Sequence, residues 1–179
     1  MPNSIQGPAP TRGLADASPY SARGWLWLSV LVVVLDQASK ALAELYLDPL
    51  KPVALLPHFN LSLAYNSGAA FSFLRDAGGW QRYFFIVLTV VVIVVLLRWI
   101  WRLEPGQRLL AAGLALVLGG AVGNLVDRVA TGLVVDFLDF YYGQWHWPAF
   151  NVADMGISGG VALLILDTLF GSEPPKPTA

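Results

Sequence analysis

Apolar positions along this chain gather into four long runs, separated by segments of mixed polarity. The first begins at Trp25. The eleven residues from Trp25 to Leu35 hold one polar side chain, Ser29; Asp36, Gln37, Ser39 and Lys40 then interrupt the pattern, which resumes to about Tyr46. Tyr83–Ile100 has a core, VLTVVVIVVLL, with no charge and no helix breaker, and Leu109–Val126 and Phe150–Phe170 complete the set. Each run approaches the roughly 20 residues that a helix needs to cross a bilayer core about 30 Å thick. The pattern predicts four transmembrane helices.

The connections differ in kind. Residues 47–82 contain Pro49, Pro52 and Pro57, followed by FNLSLAYNSGAAFSFL, whose alternation predicts short strands about a turn at Asn66-Ser67-Gly68. Phe59, Tyr65, Phe71, Phe73 and Trp80 suit the headgroup layer, so a small extramembrane sheet on the membrane surface is expected. LVVDFLDF (Leu133–Phe140), between Gly132 and Gly143, is β-branched and aromatic, and its Asp136 and Asp139 face opposite ways if it is extended. Residues 1–23 and 172–179 are rich in small residues or proline and are expected to be disordered tails around one domain, 24–171.

Composition agrees with the runs. Of 179 residues, 56% are hydrophobic and only 13% charged, against about 25% charged in a soluble domain. Mean hydropathy is +0.59. A net charge of -1 offers no basic footprint for nucleic acid, and the absence of cysteine excludes disulfides, thiolate metal sites and a Cys nucleophile. Outside the runs, Arg12, Arg23, Arg98, Arg102, Arg108 and Lys176 lie on the side of the termini, and Lys51, Arg75 and Arg82 on the other. That six-to-three bias places both termini in the cytoplasm and the 47–82 and 127–149 segments outside.

Carboxylates at the edges of spans are costly and mark function. Asp127, Asp136, Asp139 and Asp154 all fall near the outer boundary, with Asn124, Arg128 and Asn151 close by. Asp127 has Asn124 and Arg128 as local partners, so a helix-terminal ion pair or hydrogen bond is its expected role. Asp136 lies among Val134, Val135, Phe137 and Leu138; Asp154 is on a helix, with Asn151 one turn earlier on its face. Apolar surroundings and a second carboxylate raise a carboxyl pKa, so two such groups can share a proton and act as acid and base. Asp136 with Asp154 is the preferred pair and Asp127 with Asp154 the rival. Asp36 and Lys40, at i,i+4, either form an interfacial ion pair or brace the site. Gly119 and Gly123 form a small-xxx-small pair for helix packing. Ser158, Gly159 and Gly160 read as packing residues, and His58 as a surface residue. No zinc-binding H-E-x-x-H and no nucleotide loop is present, and no Ser-His-Asp set is visible. A carboxylate-dependent ion or proton transporter is the alternative class.

The same residues carry a resemblance. LDQASK (Leu35–Lys40), YNSGAAFSF (Tyr65–Phe73), GGAVGNLVDR (Gly119–Arg128), VVDF (Val134–Phe137) and FNVADMGI (Phe150–Ile157) resemble, in order, the blocks of lipoprotein signal peptidase, signal peptidase II, of bacteria. The resemblance implies an aspartyl protease of the cell inner membrane with four spans and cytoplasmic termini. It would remove signal peptides from diacylglyceryl-modified prolipoproteins, cutting before the lipidated cysteine near the periplasmic face. It assigns catalysis to Asp136 and Asp154 and support or substrate binding to Asn66, Gly68, Asn124, Arg128 and Asn151. Asp36, Lys40 and Asp127 receive a structural role. It implies no cofactor, no metal and no nucleic acid; its partners are the prolipoproteins and membrane lipids, and a monomer is expected.

Overall fold

The computed structural model describes residues 22–68 and 78–170. A short 3-10 turn, Ala22–Trp25, leads into α1 (Leu26–Tyr46), and its first two residues belong to the segment expected to be a tail. The remaining helices are α2 (Trp80–Trp101), α3 (Arg108–Ala130) and α4 (Val152–Phe170). All four are long and apolar enough to cross a membrane. The rest of both expected tails, and Phe71 and Phe73 of the expected surface strands, lie outside the described residues.

α3 is the hub. It is 56% buried along its apolar span, against 28% for α1 and 17% for α2 and α4. Its sequence explains why: small residues let its neighbours approach closely. A Cβ on Gly119 would lie 2.7 Å from the Val32 Cβ of α1, and one on Gly120 would collide with the backbone oxygen of Ala153 at the head of α4. On its other side, Leu114 and Leu118 pack with Leu96 and Ile100 of α2. α2 turns apolar side chains outward over most of its length, Val87 and Val95 among them. Outward-facing apolar groups of this kind suit hydrocarbon rather than water.

Four antiparallel strands cap one end of the bundle, in the order β1 (Val53–Leu56), β2 (Phe59–Asn66), β3 (Val134–Tyr142), β4 (Trp145–His146). α1 and α3 end beneath this sheet, and α4 begins there. Leu63, Val135 and Phe137 pack with Ala43 of α1, which fastens sheet to bundle.

The reversal between β1 and β2 is at Pro57-His58; the chain also bends at Ser67-Gly68, and what was expected beyond that turn lies outside the described residues. Proline withholds an N–H and so ends β1, and His58 adopts a left-handed φ of 67°, a region that His visits more readily than most residues. Asn66 instead closes β2, opposite Val134. The helical start expected at Phe150 is likewise displaced to Val152. Phe150 is held by the sheet: its N–H donates to the Leu138 oxygen at 3.0 Å, and its own oxygen accepts from the Leu138 N–H at 2.9 Å.

Candidate active site

The geometry starts from the first turn of α4. Asn151 precedes the helix and is fully buried. Its Oδ1 accepts from the Asp154 N–H at 2.9 Å, and Asp154 Oδ2 accepts from the Asn151 N–H at 3.2 Å. This is a reciprocal capping box built from Asn and Asp, satisfying two N–H groups that helix geometry leaves without partners. A third, on Ala153, donates to Asp36 Oδ1 at 2.8 Å. The helix N-terminus also favours negative charge.

The second carboxylate arrives from the sheet. Asp136 sits on β3 opposite Ala64. Its Oδ1 accepts from Asn151 Nδ2 at 2.8 Å and its Oδ2 from Asn66 Nδ2 at 3.2 Å. Asn151 therefore caps the helix bearing Asp154 with one side-chain atom and holds Asp136 with the other. Asp154 Oδ1 accepts from Asn124 Nδ2 of α3 at 2.8 Å. Burial, and then the charge of Asp154, push the Asp136 carboxyl up from 3.8 to about 7; the hydrogen bonds from Asn66 and Asn151 and the charge of Lys40 oppose that rise.

Beneath this layer lies a buried ionic cluster. Lys40 Nζ is 2.8 Å from Asp36 Oδ2 and 2.8 Å from Asp127 Oδ2, and it donates to Asn124 Oδ1 at 3.0 Å. Gln37 donates to Asp127 Oδ1 at 2.8 Å, and the Val135 N–H to Asp127 Oδ2 at 3.2 Å. Arg128 Nη2 donates to the Gly68 oxygen at 3.0 Å and Nη1 to the Asn124 oxygen at 3.3 Å, while its guanidinium lies 5.3 Å from the centre of the Phe85 ring. The Gly68 N–H donates to Asn66 Oδ1 at 2.9 Å, tying that bend to the amide that serves Asp136.

Asp136 and Asp154 line one cavity of about 1130 Å³, together with Asn66, Asn124 and Arg128. Its outer wall is aromatic, from Phe140, Tyr141 and Tyr142 on β3 and from Trp145, Trp147 and Phe150 beyond it.

Two expectations change here. Asp127 does not pair with its sequence neighbour Arg128; Lys40, Gln37 and the strand backbone occupy both its oxygens, and it does not line the cavity. The Asp36–Lys40 pair is not interfacial, since Asp36 is 0% and Lys40 3% exposed. A buried ion pair needs further polar partners to offset its desolvation, and α3 and α4 provide them. Sequence reasoning missed Gln37, whose partners are on a distant helix, and the pairing of His146 with Asp139 across the β3–β4 hairpin at 3.0 Å. His58, expected at the surface, is exposed, and it also borders the cavity with its ring 5.2 Å from that of Tyr142.

Comparison with known proteins bears on this arrangement. A family model described as Signal peptidase (SPase) II matches residues 28–170. The lipoprotein signal peptidase of Acinetobacter baumannii is 48% identical over 170 residues, 95% of this chain and 94% of that protein. That of Hydrogenovibrio crunogenus is 52% identical over 140 residues, 78% of this chain and 81% of its own. The solved structure of a bacterial membrane enzyme, obtained by the in meso method at 2.3 Å resolution, superposes with a TM-score of 0.76 at 28% identity, covering 89% of this chain and 96% of that one.

Proposed function

The chain belongs to the signal peptidase II family, the lipoprotein signal peptidases, and from that membership we propose that it cleaves signal peptides by a two-aspartate mechanism. Its substrate is a prolipoprotein whose cysteine already carries diacylglycerol, and the bond cut is the one before that cysteine. One observation above all supports the assignment of Asp136 and Asp154: a single buried residue, Asn151, donates to both carboxylates where they open onto the cavity, from its side-chain amide to Asp136 and from its backbone N–H to Asp154.

The proton bookkeeping follows from the surroundings. Asp136, pushed up to about 7, carries the shared proton at neutral pH. Asp154, at a helix N-terminus with two N–H donors, is the base. Water adds to the scissile carbonyl carbon as its proton passes to Asp154. The Asp136 proton moves to the carbonyl oxygen, giving a neutral gem-diol. The C–N bond then breaks, the departing amine takes the proton from Asp154, and Asp136 recovers one from a gem-diol hydroxyl. The new carboxyl group and the free amine leave with both aspartates reset. Arg128 and Asn124 hold the substrate backbone, and the apolar leader and lipid chains occupy the aromatic wall and the bilayer beside it.

In this reading the protein lies in the bacterial inner membrane as a monomer with cytoplasmic termini. The sheet and the site face the periplasm. All site residues come from one chain, and the Lys/Arg bias sets the orientation. Membership of a peptidase family does not favour the transporter alternative. The test uses purified protein in detergent with a precursor supplied either diacylglyceryl-modified or unmodified. Cleavage of the modified form alone, at the bond immediately before the cysteine, is the expected result. No cleavage, or equal cleavage of both forms, contradicts the proposal.

A further inference from the structure

Lys40 takes no part in the proton transfers above, yet its ammonium is committed on every side. An ammonium has three N–H donors and no acceptor. Here they meet Asp36 Oδ2 and Asp127 Oδ2, each at 2.8 Å, and Asn124 Oδ1 at 3.0 Å. The third contact has a consequence for the site. A carboxamide has nearly the same shape with its nitrogen and oxygen exchanged, so its orientation is set by its partners. With Lys40 on one side, only the oxygen of Asn124 can face the ammonium. Asn151 Nδ2, 3.1 Å from the same oxygen, demands the same orientation. Asn124 Nδ2 is then left to face Asp154 Oδ1 at 2.8 Å. Reversed, the amide would set an oxygen against a carboxylate and an NH2 against an ammonium.

We propose that Lys40 is a positioning residue of the peptidase site. It locks the carboxamide of Asn124 with its N–H toward Asp154, and so aims the free lone pairs of that carboxylate into the cavity. The proposal rests on the two-aspartate reading above. Asp36 and Asp127 fix Lys40 in turn. Asp36 also receives the Ala153 N–H, so the ammonium, the amide and the first turn of α4 form one rigid unit. The charge of Lys40 reaches the other aspartate as well. Asp136 faces Asp154 from α4, Arg128 from α3 and Lys40 from α1, and Lys40 is among the groups that restrain its rise.

The test compares Asp127→Asn with Asp127→Asn/Lys40→Met in the full-length protein. One carboxylate is removed in both, so that loss of the ammonium does not strand two buried anions. The expected result is a fall in kcat of roughly ten- to a hundredfold on loss of the ammonium, as for a small misplacement of a reacting group, with KM changed less than threefold. The alkaline limb of the pH profile should move upward, which a merely structural role would not cause. Adding Asn124→Ala should cost less in the double variant than in Asp127→Asn, because the two residues act in series. Equal kcat and equal limbs, or losses that simply multiply, overturn the proposal. A measurement independent of folding in these variants is the side-chain amide resonance of Asn124 in otherwise wild-type protein. It should sit downfield and move on Asp154→Asn; an unmoved resonance overturns the locked orientation. Retained turnover in Asp136→Asn or Asp154→Asn would instead overturn the underlying reading.

Discussion

Asn151 Nδ2 lies 2.8 Å from Asp136 Oδ1, and through this contact the cap of a helix grips a strand. The same side chain accepts the Asp154 N–H at 2.9 Å, so one residue sets the relative placement of two carboxylates from different elements. Asn151→Ala is expected to lose about 1 kcal/mol of helix capping and to reduce kcat at least roughly a hundredfold through misplacement of both acids. Asn151→Asp keeps an oxygen for the cap but sets a third carboxylate against Asp136. It should retain more thermal stability than the alanine variant and still fail to cleave. Melting curves and turnover on a lipidated precursor check both, and wild-type turnover in Asn151→Ala would contradict the shared-amide account.

The carboxyl of Asp136, raised from 3.8 to about 7, makes both stability and activity fall with pH, over different ranges. Between those values the native state binds the proton and the unfolded state does not. Stability from this group is therefore full below about pH 4, declines as pH rises toward 7, and is flat above that. The proposed mechanism requires the proton on Asp136, so kcat should fall as pH rises through about 7. Asn66→Ala deletes a donor that favours the ionised form and should move that alkaline limb upward. A pH–rate profile of the two proteins, with thermal melts of wild type and Asp136→Asn, checks the set. A limb that stays in place in Asn66→Ala, or melts in which Asp136→Asn keeps the wild-type decline, would contradict it.

Close packing of α3 on α4 is the mechanical base of the site. A Cβ at Gly120 would collide with the backbone oxygen of Ala153 and come within 2.7 Å of Ile157 Cγ1, beside the first turn of α4. Gly120→Ala should cost about 1–3 kcal/mol of overpacking and displace Asp154, with a matching loss of cleavage. Gly159→Ala, on the same helix pair but facing open space, is the control. It should match wild type in melting and in turnover. Equal behaviour of the two variants would show that the α3–α4 approach does not govern the site.

The legible part of this protein was what local pattern encodes. The four apolar runs became α1 to α4, because crossing hydrocarbon leaves a chain of that composition no other way to satisfy its backbone. Asp154 was expected on a helix one turn after Asn151, and the β-branched, aromatic run around Asp136 suggested an extended segment. Partnerships made across the fold were invisible. Nothing near Asp127 in the chain shows that Lys40 and Gln37, on α1, will hold it rather than the adjacent Arg128. The earlier reversal between β1 and β2 was not foreseen, because it rests on Pro57 and a left-handed His58, whereas Asn-Ser-Gly is the more obvious turn sequence. The pairing of Asp139 with His146 depends on the β3–β4 register, which two residues of strand do not advertise.

Direct judgement of the central claim comes from one assay: cleavage of a diacylglyceryl-modified precursor by wild type, Asp136→Asn and Asp154→Asn, each shown to be folded by its melt. Asparagine preserves shape and hydrogen bonding but cannot exchange the proton that the mechanism passes between the two carboxylates. Turnover is predicted to drop by at least roughly a thousandfold in each variant, the scale of losing an essential acid or base, while Asp139→Asn, outside the cavity, stays within an order of magnitude of wild type. Substantial cleavage by either Asp136→Asn or Asp154→Asn would contradict the two-aspartate account.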